Sequence, residues 1–490
     1  MSDADRPVTP VPWLPVIGLA AVKVTASMAV ANRYGWHGDE LYYLATARHP
    51  ALGYVDFPPV TPMIAWLVQV VAPDSLLALR FTSILAGSLV VVLAALIARE
   101  LGGGRAAQAL AALAVVISPE FLGGNFLFET VSFDQLVWAS LLWLVVRVLA
   151  GGDQRLWLLA GAVLGIGLET KYTVAALAVA LAAGLLLTPA RRHLATRWPW
   201  LGVGLALLLL APNVWWQAGH GWDSVAYTLS HRGHTDGPVA YWVQQALFLV
   251  NPVLLPVAVA GAVWLWRSGT FRALAWTVVL VELVLFAAGG KSYYPAAAYP
   301  LLYAAGAVWL ERSVGSRLLR RAWMGTAVAF TLLLVPILLP VLPADVIARA
   351  PGLQTSVSRA MFGWPDMARE VAAAYAALPP SDRRGAMVLA AYDSQAGALE
   401  LYGPSLGLPT VVSPHLTDYY WVPTRMDPQV VIAVGYDRPD LQALFGDVRQ
   451  VGTVSNSYGV ENNDAGTPIF VCRSPRRPLW QAWPSLKTLD

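Results

Sequence analysis

Residues 37–59 hold the densest group of side chains that could do chemistry in this chain. Asp39 and Glu40 are adjacent, and Asp56 lies shortly before two consecutive prolines. The stretch lies between apolar segments, and a carboxylate beside a membrane-length apolar element is costly unless it is solvated, paired or used. One interpretation is structural, because acids in a first helical turn complement the dipole and bind free N–H groups. The other is catalytic, because a carboxylate can take the proton of an attacking hydroxyl.

Lysine is rare, and two of the four lysines lie at junctions between apolar segments. These two junctions offer Lys171, Tyr172, Lys291, Tyr293 and Tyr294. A lysine ammonium binds phosphate as a point charge, so both junctions are candidate contacts for the anionic phosphate of a lipid donor. The alternatives are snorkelling of the ammonium groups to lipid headgroups and, for Lys171, an ion pair with Glu169.

Two further connections contain polar side chains that could contact a substrate. Asp134 starts a long apolar stretch, where it could line a cavity or complement the N-terminus of a helix. His220 and Arg232 lie in the 218–239 loop with further histidines and acids. No pair of residues there has a recognised metal spacing. A divalent ion held by Asp56 and one of these histidines is therefore the one cofactor alternative.

The composition places these residues in a membrane protein. Of the 490 residues, 57% are hydrophobic and 13% are charged, whereas soluble globular proteins carry roughly 25% charged residues. The net charge of +3, without a basic stripe, gives no support to a nucleic-acid partner. The single cysteine, Cys472, excludes an intrachain disulfide framework and a cysteine-cluster metal site.

The apolar runs predict a mainly α, polytopic bundle of about eleven transmembrane helices. The predicted spans are 12–32, 76–98, 106–119, 132–150, 156–169, 172–189, 199–217, 240–266, 273–289, 295–311 and 323–342. Arginines cluster in every second connection, which places those connections and the N-terminus in the cytoplasm. The first loop, the 118–131 and 218–239 loops and the region after 343 are then expected outside a plasma membrane.

A change of composition near residue 343 predicts two domains, 1–342 in the membrane and 343–490 outside it. Strands are expected at 386–391, 430–434 and 469–472, and helices at 364–378, 395–402 and 439–445. These elements predict a small α/β domain. Its aromatic loop, from Ser413 to Trp421, could rest on the membrane surface or close over an acceptor.

The first loop resembles that of the family 39 glycosyltransferases, the protein O-mannosyltransferases and the aminoarabinose transferase of lipid A. Asp39 and Glu40 match an Asp-Glu pair that follows the first transmembrane helix of that family. Asp56 matches a later polar residue before Pro-Pro, while Phe57 stands where the aminoarabinose branch often has a basic residue. The stretches around Lys171 and Lys291 also resemble family patterns. The resemblance implies a GT-C-like helical fold, Asp39 as catalytic base with Glu40 orienting the site, and inversion at the anomeric carbon.

The expected reaction is transfer of a sugar, mannose or similar, from a polyprenyl-phosphate donor to an extracytoplasmic hydroxyl. The acceptor could be a protein, a glycan or a lipid. One carboxylate base and positive charge at the departing lipid phosphate are a sufficient set for this reaction. The alternatives are a lipid-linked sugar transporter or flippase, a non-catalytic membrane subunit, and a hydrolase that releases the sugar to water.

Overall fold

The computed structural model describes residues 9–231, 237–423 and 426–489, and these residues form a mainly α fold with one small β-sheet. The helices before residue 342 are α1 (Trp13–Met28), α2 (Gly38–Arg48), α3 (Val60–Val71), α4 (Leu76–Glu100), α5 (Arg105–Ile117), α6 (Pro119–Gly123), α7 (Thr130–Leu149), α8 (Leu156–Leu168), α9 (Val174–Leu186), α10 (Arg197–Gly219), α11 (Asp223–Ser230), α12 (Pro238–Gln244), α13 (Leu255–Arg267), α14 (Arg272–Ala287), α15 (Tyr299–Ser313) and α16 (Arg317–Leu338). The later helices are α17 (Ala344–Ala348), α18 (Ser356–Arg359), α19 (Trp364–Ala376), α20 (Pro380–Arg383), α21 (Asp393–Tyr402), α22 (Arg438–Leu444) and α23 (Leu479–Ala482).

Each predicted span overlaps a helix, but the count of eleven transmembrane helices is not confirmed. Among the described residues, four helices are long and apolar enough to cross a membrane, namely α4, α7, α10 and α16. A fifth span is possible if α9 and the 3-10 helix after it, which meet at 108°, count as one. The predicted span 240–266 is divided into α12, a π-helical turn (Gln245–Leu249) and α13.

The helices of the first part pack around a core of small and branched aliphatic side chains from α4, α5, α7 and α15. Glycine permits the closest crossings. A Cβ on Gly161 of α8 would lie 2.1 Å from the carbonyl oxygen of Gly202 on α10, so only glycine fits there. At the turn before α5, the Glu311 carboxylate accepts hydrogen bonds from the backbone N–H of Gly104 (2.6 Å) and Ala107 (3.2 Å). Arg312 Nη2 also donates to the Gly102 carbonyl oxygen (2.9 Å), so two connections predicted to be cytoplasmic contact each other.

The sheet is built entirely from residues after 386, in the spatial order β2-β1-β3-β5-β4. Its strands are β1 (Met387–Ala390), β2 (Val411–Val412), β3 (Val430–Val434), β4 (Phe445–Thr453) and β5 (Pro468–Pro475). The first three strands run parallel, and β5 pairs antiparallel with both β3 and β4. The predicted strands at 386–391, 430–434 and 469–472 are confirmed. The sequence missed β2 and β4, and the division of the chain at residue 343 stays a prediction.

Helix α2 of the first part packs directly on α21 of the last part. A Cβ on Gly38 would lie 3.2 Å from Ser394 Cβ and 3.3 Å from Trp364 Cζ2. A Cβ on Gly397 would lie 2.6 Å from the carbonyl oxygen of Leu41, which is closer than side chains tolerate. The two glycines therefore bring the start of α2 against the carboxyl edge of the sheet.

Candidate active site

A capping box positions the two adjacent acids at the start of α2. The ring Nδ1 of His37 accepts a hydrogen bond from the backbone N–H of Asp39 (3.2 Å), and the His37 N–H donates to Oε2 of Glu40 (2.9 Å). This reciprocal arrangement satisfies free N–H groups of the first turn. Its two acids end in different environments, since the Asp39 side chain is 61% exposed and the Glu40 side chain is fully buried.

Glu40 joins the start of α2 to Arg80 of α4 and to the backbone of Phe128 through hydrogen bonds. Arg80 of α4 donates from Nε to Oε1 (2.8 Å) and from Nη2 to Oε2 (2.7 Å), and the Phe128 N–H donates to Oε1 (3.0 Å). Burial alone raises the pKa of Glu40, but the Arg80 charge and these hydrogen bonds outweigh burial and lower the pKa. Both oxygens accept hydrogen bonds from protein donors, and the orienting role of Glu40 stays a prediction.

Glu129 joins Asp39 and His37 to form a group of three potential ligands. One ligand atom from each side chain lies within 4.8 Å of the others. The pKa of Glu129 is raised to about 7, by burial first and then by the charge of Asp39, while the charges of His37 and Lys171 oppose the shift. Glu129 is a residue that the sequence did not place in the site. It lies close to Asp39 and feels the charge of Lys171.

Lys171 lies in the turn between α8 and α9, where two tyrosine rings face it. Its Nζ is 4.6 Å from the ring centroid of Tyr294 and 5.3 Å from that of Tyr293, which are cation–π distances. Burial lowers the pKa of Lys171, and the charges of Asp134, Glu129 and Glu120 oppose that shift. Among the described residues no ion pair joins Lys171 to Glu169. An ion pair with Glu169 is therefore not what holds Lys171 in place.

The second lysine lies beside the same tyrosines. Lys291 is exposed. Burial raises the pKa of Tyr294, and the charge of Lys291 opposes that shift. The pKa of Tyr293 is raised well above its ordinary value by burial first, and then by charges that include Glu129 and Asp39. The charges of these two acids therefore act on a tyrosine that Lys171 contacts.

Asp134 and Tyr172 support this region from the helices behind it. Asp134 lies beyond the first turn of α7, so it is not an N-terminal cap. It accepts hydrogen bonds from Trp138 Nε1 (2.9 Å) and Thr173 Oγ1 (3.2 Å). The Tyr172 hydroxyl donates to Asn213 Oδ1 of α10 (3.0 Å). Both side chains hold the turn that carries Lys171.

Asp56 lies at the contact between the first loop and the C-terminal part. The Tyr42 hydroxyl lies 3.0 Å from Oδ1 of Asp56 and 2.9 Å from Oγ1 of Thr417. Burial, followed by the charge of Asp393, raises the pKa of Asp56 to about 8. The histidine whose charge acts on Asp56 is His415, which follows strand β2. Metal binding by Asp56 stays a prediction.

In the 218–239 loop, residues 218–231 and 237–239 are described, and His220 packs among aromatic rings there. The His220 ring stacks on Trp216 with centroids 3.8 Å apart and lies edge-on to Tyr420 at 4.9 Å. Its Nδ1 is 2.8 Å from the Trp216 carbonyl oxygen. These contacts place His220 under the C-terminal part. Arg232 lies outside the described residues.

The aromatic loop of the C-terminal part packs on the first loop. Trp421 stacks on His49 with centroids 4.4 Å apart and planes 10° from parallel. Thr417 Oγ1 accepts a hydrogen bond from the Val55 N–H (2.9 Å). The sequence missed Asp393 and His415 as neighbours of Asp56, since no local pattern distinguishes them from ordinary loop residues.

A cavity of about 1240 Å³ opens where Asp39 meets the C-terminal part. His37, Gly38 and Asp39 form one wall, and residues that follow β1 and β3 form the opposite wall. The exposed carboxylate of Asp39 therefore lines this cavity, and it also lies close to Glu129.

Comparison with known proteins finds one matching family model and several similar folds. Residues 56–216 match the model of the dolichyl-phosphate-mannose-protein mannosyltransferase family, a stretch that includes Asp56 and Lys171. The predicted resemblance to this kind of family is confirmed. None of the curated proteins matches the sequence.

The fold is that of ArnT from Cupriavidus metallidurans. Its crystal structure bound to undecaprenyl phosphate is 15% identical, and the match covers 94% of this chain and 97% of that chain with a TM-score of 0.57. The apo structure gives the same identity and coverage with a TM-score of 0.59. The oligosaccharyltransferase of Archaeoglobus fulgidus in the apo form is 14% identical, covers 79% of this chain and 64% of that chain, and has a TM-score of 0.49. The predicted mainly α fold is confirmed, and it is similar to the fold of the two ArnT structures.

Proposed function

We propose that this protein transfers a sugar, mannose or a similar one, from a polyprenyl-phosphate donor to a hydroxyl of an extracytoplasmic acceptor. The observation that supports the proposal is that Glu129, which lies close to the exposed carboxylate of Asp39, also feels the charge of Lys171, an ammonium that lies against two tyrosine rings. The matching family is named for dolichyl-phosphate-mannose, and one ArnT structure holds undecaprenyl phosphate. Both names support a lipid-phosphate donor.

The proposed step needs one base and one source of positive charge. The acceptor oxygen attacks the anomeric carbon while its proton passes to the Asp39 carboxylate, and the bond between that carbon and the phosphate oxygen breaks. The lipid phosphate then carries the negative charge away. Lys171, with Lys291 nearby, stabilises that charge as it develops. Attack from the side opposite the departing phosphate inverts the anomeric configuration.

Protonation of the acids around Lys171 favours binding of the donor's phosphate by this lysine. Burial raises the pKa of Glu129 and of Glu120 to about 7 each. Near neutral pH both are therefore partly uncharged, which leaves Lys171 less compensated by acids and available to a phosphate. A lysine beside partly protonated acids suits a site in which the phosphate of the donor supplies the negative charge.

The first test is the Asp39→Asn variant with a matched control. Removing a general base lowers the rate by typically 10²- to 10⁴-fold, so we expect Asp39→Asn to reduce sugar transfer by about that factor. Asp345→Asn serves as the control, because the Asp345 side chain is 58% exposed, close to the 61% of Asp39. Donors carrying labelled mannose, other hexoses or pentoses would identify the sugar. An Asp39→Asn variant with wild-type transfer would refute the catalytic assignment.

The second test is binding of polyprenyl phosphate to Lys171→Met. Hydrogen bonds to charged groups contribute about 1.5–3 kcal/mol, so we expect the affinity to fall by about 10- to 150-fold. Arg349→Met is the control, since its side chain is 81% exposed and pairs only locally with Asp345 in the described part of the chain. Unchanged affinity in Lys171→Met would contradict the phosphate assignment. Labelled donor without acceptor separates a transferase, which retains the sugar, from a hydrolase, which releases it.

A further inference from the structure

The cavity beside Asp39 lies at the edge of the sheet where ligands of α/β folds bind. Strands β1, β2 and β3 are parallel, and Ala391, Pro414 and Gly435, which follow them closely, all line the cavity. In open α/β sheets, ligands bind outside the carboxyl ends of parallel strands. Here that edge faces the start of α2, so the same space reaches Asp39.

We propose that this cavity is the acceptor site and that its occupant is a hydroxyl-rich glycan that is neutral or carries amino groups. The inference rests on the proposed transfer reaction, for which it names the substrate class. At about 1240 Å³ the cavity exceeds the roughly 300–1,000 Å³ of ordinary small-molecule sites. It has room for more than one sugar ring.

The charges of the lining exclude an acidic occupant. Five carboxylates line the cavity, those of Asp39, Asp437, Asp440, Glu461 and Asp464, while a single arginine does so among the described residues. A phosphate or uronic acid placed among these carboxylates is repelled. Sugar hydroxyls donate hydrogen bonds to carboxylates, and amino groups pair with them.

A buried amide supplies a second, independent sign of a ligand. Gln395 is 2% exposed and lines the cavity, and its Nε2 donates to Asp464 Oδ1 (2.9 Å). Its Oε1 has no hydrogen-bond partner within the described residues. A buried acceptor without a donor is costly. We assign the missing donor to a hydroxyl of the cavity's ligand. The amide packs closely on Gly435, where a Cβ would lie 2.4 Å from this Oε1, so only glycine leaves room for Gln395 there.

The rest of the lining favours a glycan over a basic peptide. Tyr392 is 48% exposed and presents a ring, and the amides of Asn462 and Asn463 offer both donors and acceptors. A sugar hydroxyl is donor and acceptor at once, so it satisfies such a mixed surface. A lysine-rich peptide would use the carboxylates and leave the amides and the buried Gln395 oxygen unmatched.

The test measures binding to the full-length protein in lipid nanodiscs. The probes are fluorescent tetrasaccharides of neutral hexose, of hexosamine and of uronic acid, and a lysine-rich dodecapeptide. We expect the first two to bind. We expect Gln395→Leu to weaken the neutral probe and Asp437→Asn/Asp440→Asn to weaken the hexosamine probe, each by about tenfold. Asp427→Asn is the control, because Asp427 is exposed and lies outside the lining.

Several outcomes would overturn the inference. These are preference for the uronic acid probe, preference for the peptide, absence of saccharide binding at millimolar concentration, and wild-type affinity in the cavity variants. Polyprenyl phosphate binding is measured in parallel and separates the two proposals. If the cavity variants bind saccharides normally while Asp39→Asn abolishes transfer, the acceptor site is wrong and the proposed function stands. If Asp39→Asn transfers normally, the proposed function fails first.

Discussion

Removing the charge of Glu40 is the most direct test of how the first loop is held. Glu40 and Arg80 are both fully buried, with their side chains 0% exposed. Glu40→Gln preserves the volume but leaves the Arg80 guanidinium without its negative partner. In the wild type, the backbone N–H groups of His37 and Phe128 each donate to one Glu40 oxygen. In the variant, one of these N–H groups faces the amide N–H₂ group, which is a donor, and loses its acceptor.

The expected magnitude follows from the burial of both partners. Breaking a buried ion pair by removing one partner costs about 3–5 kcal/mol, because the remaining charge is uncompensated. We expect Glu40→Gln and Arg80→Met each to lower the free energy of unfolding by about that amount. The double variant removes both charges, and its loss should be smaller than the sum of the single losses by about 2–3 kcal/mol.

The assay is unfolding in mixed micelles titrated with SDS, followed by tryptophan fluorescence. The control is Asp74→Asn, which breaks the surface pair of Asp74 with Arg48 (Nη2 to Oδ1, 3.2 Å), whose side chains are 51% and 34% exposed. Such a surface pair contributes less than about 1 kcal/mol. Additive losses from Glu40→Gln and Arg80→Met, within about 0.5 kcal/mol, would refute the view that this buried pair holds the loop.

Three further predictions concern the contact between the first loop and the C-terminal part. The folded chain holds a proton on Asp56 between the ordinary pKa of 3.8 and about 8, so stability should fall as pH rises through that window, and Asp56→Asn should flatten the dependence seen in pH-dependent melting. Tyr42→Phe leaves Asp56 without its hydroxyl donor and should destabilise the protein by about 1–3 kcal/mol in the same micelle titration. Gly397→Ala places a Cβ 2.6 Å from the Leu41 carbonyl oxygen and should reduce both stability and transfer, whereas Gly325→Ala, with open space around it, should be neutral or slightly stabilising in melting and transfer assays.

The sequence predicted the features that repeat along the chain. Long apolar runs locate α4, α7, α10 and α16, because a helix that crosses a bilayer needs about 20 apolar residues. The short runs near 106–119 and 156–169 also form helices, but their length does not determine whether they cross. Strand β2 has two residues and strand β4 contains two glycines, so neither carries the alternating apolar pattern by which strands are recognised.

The candidate site was predictable only where a local pattern marks it. Asp39 and Lys171 stand out as charges beside apolar segments, and the structure brings both to Glu129. The partners of Asp56 do not stand out in this way. The hydroxyls of Tyr42 and Thr417 meet although they are 375 positions apart in sequence, and no spacing rule connects residues so distant. The predicted role of the C-terminal part was therefore limited to its aromatic loop.

The buried acids at this contact lie between the C-terminal part, which carries the proposed acceptor cavity, and α2, which carries the proposed base. Asp56 and Asp418 each have a raised pKa, mainly through burial, and the charge of Asp393 raises both further. Protonation of Asp56 lets a neutral hydrogen-bond network with Tyr42 join the two parts without an unpaired buried charge. Because Tyr42 and Asp39 belong to the same short helix, α2, a shift of the C-terminal part would move the proposed base. If the proposed glycan binds at the edge of the sheet, its binding would then bear directly on the position of Asp39.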